Sequence, residues 1–337
     1  MRMGICDAAA LAAALLLASP ADAKPEPPRA LKIRFDTSPR VDCHWYLRTY
    51  GKRSVKPQPA SKVGFEREAA SYAEASSRIV GDAAWRWFEK LVVAGPEMAA
   101  IREAAKNPPE AIAAAPTRAA MGSLAEALES AYPGFLGTVW VEHQKALSPF
   151  LFDTRRRFDV VEARVSEDLM KKMAFSPIDA PVTVYVVMRG GGESSWGKTG
   201  SGYYAVVGQS GLSSLAIMET GLHQATHLID ALQPFDSGSI LKQVRDGLGT
   251  GSPEAVERFL HGLVAYNAGA LVKRFVDRTY VPEGVRAPGQ EEAFRPYLST
   301  YEFIWRDYLD GKIAQSAIVP KLIEEFRAVQ RLQGSPR

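Results

Sequence analysis

The chain has 337 residues, a formal net charge of +3, and 46% hydrophobic and 23% charged side chains. That is ordinary globular usage, with length for one large or two small domains and for a sizeable core. It excludes a mainly disordered chain, and so slight a positive charge does not point to nucleic acid.

Residues 1–23 read as a signal peptide. Arg2 supplies a positive start, Ala8 to Ala18 is an unbroken Ala/Leu run, and Ala21-Asp22-Ala23 offers small residues for cleavage after Ser19-Pro20. The run, about 11 residues, is too short for a stable bilayer anchor. The expectation is export, to the periplasm or as a secreted protein. No later stretch approaches 18 apolar residues, so no membrane span is expected after cleavage. Only Cys43 would remain, which excludes an internal disulfide and a cysteine-based zinc site. Any metal would be held by His, Asp or Glu.

Residues 24–62 carry Pro25, Pro27, Pro28, Pro39, Pro57 and Pro59 and read as an extended leader. One strand is expected within it, Leu31 to Phe35, with His44 on a loop. Residues 63–134 form an N-terminal helical region. Helical patterning runs from Phe65 to about Val93, with Trp85, Trp87 and Phe88 as core aromatics. Residues 97–131 are Ala-rich and helical, interrupted at Pro108-Pro109 and Pro116, and Pro133-Gly134 is expected to break the chain. Residues 135–174 then read as one long helix or two, carrying Trp140, His143, Phe150 and Phe158. Arg155-Arg156-Arg157 reads as a solvated basic patch.

Val182 to Val187 is a β-branched run and predicts a strand, as does Tyr203 to Gly208. Between them Gly190 to Gly202 reads as a long Gly/Ser loop. It lacks the Gly-Lys-Ser/Thr ending of a phosphate loop, and no Gly-x-Ser-x-Gly nucleophile elbow occurs. Cap chemistry at 210–214 opens a helix from Ser214 to about Leu232, which Pro234 ends. Further helices are expected at Pro253 to Val276, Gln290 to Leu309 and Ile313 to Gln330. The fold class is helix-rich α+β, with a small sheet next to a central helix.

That helix carries His223 and His227. Four residues turn about 400°, so the two imidazoles share a face and can reach one metal ion. Glu219 lies one turn earlier on the same stripe. Asp230, one turn later, is placed to orient an imidazole. The bland alternative is a pair of hydrogen-bonded structural histidines in a helical binding or scaffold protein.

His223-Gln224-Ala225-Thr226-His227 resembles the His-Glu-x-x-His signature of zinc metallopeptidases, and the trailing Asp230 is similar to several gluzincin groups. His261-Gly262-Leu263 through Tyr266 to Gly269-Ala270 is similar to a helix of an exported, uncharacterised bacterial gluzincin-like family. So are Tyr280-Val281-Pro282, Trp305 to Gly311 and Trp140-Val141-Glu142-His143. The resemblance covers roughly 135–325 and implies a zincin-like domain over 135–330. It implies that His223 and His227 bind zinc, that Gln224 stands at the general-base position, and that Ala270 stands at the third-ligand position. It also brings Tyr266 and His143 near the site as catalytic candidates. An amide cannot take a proton from zinc-bound water, and a methyl cannot coordinate. The implied protein is therefore metallopeptidase-like but impaired or inactive, with zinc weak or absent and a cleft that still takes a peptide or protein ligand. The alternative is an active zinc hydrolase in which Glu219, Glu291 or Glu292 substitutes as the carboxylate.

Overall fold

A computed structural model of the chain describes residues 31–334 apart from 51–63, 96, 113, 179, 190–195, 210, 235–236, 250–251 and 285–290. The predicted signal peptide lies outside the described residues. Among them, no helix is long and apolar enough to cross a membrane.

The chain enters through strand β1 (Ile33–Asp36) and helices α1 (Pro39–Tyr50), α2 (Glu66–Ser77), α3 (Asp82–Ala94), α4 (Met98–Lys106) and α5 (Ala115–Phe135). A π-helical turn, Leu136–Trp140, leads into α6 (Val141–Phe158), followed by α7 (Glu162–Met173). Strands β2 (Val182–Val187), β3 (Trp196–Lys198) and β4 (Tyr203–Gly208) precede α8 (Ser214–Ala231), α9 (Ile240–Leu248) and α10 (Pro253–Leu271). A second π turn, Val272–Val276, extends α10. Then come the short α11 (Glu291–Phe294), a third π turn (Thr300–Trp305), α12 (Arg306–Leu309) and α13 (Gln315–Gly334).

The fold is α+β and helix-rich, as expected. The sheet order is β1-β2-β4-β3; β1, β2 and β4 run parallel, and β3 pairs antiparallel with β4. Ile33 sits beside Val182, and Val182 beside Tyr203. Side chains alternate between the faces. Val182, Val184, Val186, Ala205 and Val207 point into the main core with α8 and α10. Val187, Tyr204 and Val206 pack on Val41, Trp45 and Val93 from α1 and α3. A further core, built on Leu47, Tyr72, Phe88, Met121 and Phe135, joins the N-terminal helices.

Several expectations are corrected here. The strand expected in the supposed leader forms as β1, but Pro39–Tyr50 is helix α1 rather than extended chain, and its Cys43, His44, Trp45, Tyr46 and Leu47 are buried, so His44 is a core residue. The proline content misled because Pro39 opens α1, where no N–H is needed. The Phe65–Val93 pattern is two helices, divided by Gly81 at φ +91°. Pro116 lies in the first turn of α5, and Pro133-Gly134 does not break it. Pro133 is tolerated in the last turn, just before the ladder changes at the π turn. The Gly/Ser loop yields β3, whose Gly197 lies against the Tyr204 ring.

Helix α8 sits on the sheet because of one glycine. A Cβ on Gly221 would lie 2.5 Å from Phe35 Cε1 and 3.2 Å from Val184 Cγ1. Gly221→Ala is therefore expected to destabilise the protein by about 1–3 kcal/mol, overpacking outweighing the roughly 1 kcal/mol gain in helix propensity. Urea unfolding checks this, and an unchanged or raised midpoint would refute the close approach.

Candidate metal centre

Helix α8 is set by its cap. The Ser213 side chain accepts from the Ala216 N–H at 3.2 Å, and the chain turns away after Leu232, short of Pro234. Its buried residues run nearly all round the helix, which identifies a central element. His223 is 8% exposed and His227 is half-buried. Their Nε2 atoms are 3.0 Å apart and their ring centroids 4.8 Å apart. The sequence expectation that both imidazoles face one point therefore holds.

Helix α10 starts from Ser252, which caps Ala255, and Pro253. It lies antiparallel to α8. His261 meets the histidine pair, while eight residues on, a Cβ at Gly269 would come 3.0 Å from Glu219 Oε1. Ala265 and Gly269 continue the His261 stripe at four-residue intervals, and their small size lets the helices approach. The centroid of His261 is 4.6 Å from that of His223 and 4.8 Å from that of His227. Phe294 of α11 stacks on its other face at 5.7 Å.

One nitrogen from each of His223, His227 and His261 lies within 4.8 Å of the others, a group that could hold a metal ion. Two zinc–imidazole bonds of about 2.05 Å at a tetrahedral angle separate their nitrogens by roughly 3.3 Å, close to the His223–His227 spacing. Burial drives the His223 imidazole well below the usual histidine range, helped by His227 and His261. Burial, then His261 and Arg245, pushes His227 down to about 3. Burial lowers His261 as well, against the opposing pull of Glu257. All three are therefore neutral near pH 7, the form that offers a lone pair to a metal.

The third imidazole is the main departure from expectation. The resemblance put the third-ligand position at Ala270, whereas His261 is the α10 residue that meets the pair. Nine residues at 100° each place Ala270 about half a turn round α10 from His261. It lines a separate cavity with Lys273 and Arg274, as does Tyr266. The ring of Tyr266 lies 6.5 Å from that of Tyr301, and Tyr266 is not one of the three converging groups. His143 is elsewhere too. Its Nδ1 is 2.5 Å from Asp42 Oδ2, while Asp42 Oδ1 accepts the Met188 N–H at 2.7 Å. The rings of Tyr46 and Phe135 enclose it.

The substitute carboxylates fare no better. Glu219 is 3% exposed and fully engaged. It accepts from the Tyr280 hydroxyl at 2.6 Å, the Gly284 N–H at 2.6 Å and the Glu283 N–H at 3.0 Å. Burial raises its carboxyl above the usual range although the three donors pull it back. Glu292 is exposed, and the side chain of Glu291 lies outside the described residues. Asp230 bonds to Arg245 at 3.3 Å rather than to an imidazole of the trio. Gln224 is buried, and its Oε1 has no hydrogen-bond partner among the described residues.

Comparison with known proteins adds no relative: no family model, curated protein or solved structure matches the chain.

A signal for His261 was present in the sequence. It heads the Ala265/Gly269 stripe on a helix long enough to lie along α8, but nothing local says which helix that stripe faces.

Proposed function

We propose that this chain is an exported, gluzincin-like protein that binds one divalent transition-metal ion through His223, His227 and His261 and has lost peptidase catalysis. The convergence of three neutral imidazoles, one buried and two half-buried, carries the reading. Three nitrogen donors without a carboxylate or thiolate suit zinc, and a fourth position is then left for water. The expectation of weak binding rested on two ligands, and the third imidazole removes its basis. Bound zinc would supply Lewis acidity to whatever filled that fourth position. The protein's own contribution stops short of hydrolysis. Gln224 can donate to or accept from a bound water, but its amide cannot remove a proton as the glutamate of an active peptidase does.

The test is metal analysis of the full chain purified without chelator, then titration of the stripped protein with zinc. The expected result is one zinc per chain, an affinity that falls about a hundredfold or more in His261→Ala, and no change in Ala270→Glu. A fluorogenic peptide mixture should show no turnover beyond background. Failure to bind zinc would return the histidines to a structural role in a scaffold protein. Chelator-sensitive peptide cleavage by the unaltered chain would overturn the loss of catalysis.

A further inference from the structure

The cavity that contains Tyr266 and Ala270 is a site of another kind, and none of the three histidines lines it. Its volume is about 530 Å³, inside the range of roughly 300–1,000 Å³ typical of small-molecule sites. Two π-helical turns contribute to it, beside α10, Val281-Pro282 and the 306–310 stretch. Val272–Val276 contributes Lys273 and Arg274, and Thr300–Trp305 contributes Glu302 and Phe303. A π turn inserts an extra residue into the ladder and re-aims side chains outward, and such turns recur at functional sites.

The lining has two characters. Val281 and Phe303 are large apolar side chains left 62% and 57% exposed, with Pro282 and Leu309 beside them. Solvating that much apolar surface is unfavourable and marks a place for apolar contact. Around it stand three cations, Lys273, Arg274 and Arg306, against two carboxylates, Glu302 and Asp310. Asp310 is already bonded to Arg274 at 3.2 Å, and Arg274 also reaches Asp168. Lys273 and Arg306 have no salt-bridge partner among the described residues, and the Arg306 guanidinium lies 5.5 Å from the Phe303 ring centroid. The cavity thus offers surplus positive charge beside an apolar wall.

We propose that this cavity binds a small organic acid, a carboxylate on an apolar body, with the carboxylate at Lys273 and Arg306 and the body against Phe303, Val281 and Pro282. A carboxylate answers the uncompensated cations, and an apolar chain covers what the rim leaves exposed. The assignment is independent of metal binding.

Octanoate is a suitable probe, titrated calorimetrically into the full chain in the presence of a chelator so that no metal can capture the carboxylate. The expected result is saturable 1:1 binding that weakens about tenfold or more in Lys273→Glu and in Phe303→Ser, and is unchanged in His261→Ala. Both cavity positions are exposed, so neither variant threatens the core. Octylamine, cationic at neutral pH, should not saturate. Absence of saturable octanoate binding would overturn the proposal, as would equal binding of octylamine or indifference to both cavity variants. Binding of an acetylated dipeptide with a free apolar C-terminus, without any binding of octanoate, would overturn it in favour of peptide ends.

Discussion

Glu219→Ala is expected to lower stability by about 3–5 kcal/mol, among the largest effects of any single substitution outside the apolar core. The carboxylate is buried and takes three hydrogen bonds, from the Tyr280 hydroxyl and the Glu283 and Gly284 N–H groups. These donors tie the 280–284 segment to α8 at the level where α10 crosses. Truncation leaves the buried Tyr280 hydroxyl and the two partly buried N–H groups without an acceptor, at about 1–3 kcal/mol for each group that stays out of water. Glu219→Gln keeps the shape but turns an NH₂ toward a set of donors, so a loss of about 2–3 kcal/mol is expected. Tyr280→Phe, which removes one donor, should cost about 1 kcal/mol. Urea midpoints provide the measure. Zinc affinity should hardly move in Glu219→Gln, since the carboxylate is not one of the converging groups. A collapse of zinc binding with stability intact would reinstate Glu219 as a ligand.

The metal-free protein is expected to lose stability steeply on acidification below about pH 6.5. His44, His223, His227 and His261 all have folded-state values below the usual 6.5, with burial the first cause in each. His44 donates to or accepts from the Tyr72 hydroxyl at 2.7 Å within an aromatic shell, and Arg48 adds to the cost of charging it. Below 6.5 the unfolded chain takes up protons that the folded chain refuses. The unfolded state then binds more protons, and stability falls as pH falls. For His227 the window runs from 6.5 down to about 3. Each such histidine contributes up to about 1.4 kcal/mol per pH unit inside its window. Four together make a shift from pH 6.5 to 5 worth several kcal/mol, a large share of an ordinary total of about 5–15 kcal/mol. Urea midpoints at pH 7.5, 6.5, 5.5 and 5.0 in chelator would check this. A flat profile across that range would contradict the burial of the imidazoles. Zinc should raise the midpoint at neutral pH, and the gain should vanish toward pH 5 as protons compete for the same nitrogens.

Much of the local structure was legible because its causes are local. The β-branched runs at 182–187 and 203–208 became β2 and β4, and Ser213 capped the helix that Pro234 follows. Pro133 and Pro39 misled, because a proline's cost depends on which N–H the surroundings need. That is a property of the helix end and of the π turn, which composition does not display.

The sequence alone determined that His223 and His227 share a helical face, since a four-residue spacing on a helix admits no other arrangement. It also determined that Gln224, an amide, stands between them. Only the tertiary structure decided that His261, 34 residues beyond His227, completes the group in place of Ala270. It also decided that Glu219 is consumed by Tyr280 and two backbone N–H groups, and that His143 pairs with Asp42, 101 residues away. The helical period states which residues of one helix point together. Which face of α10 meets α8 depends on where Ala265 and Gly269 let the two helices close, and that is settled by the packing of the whole core.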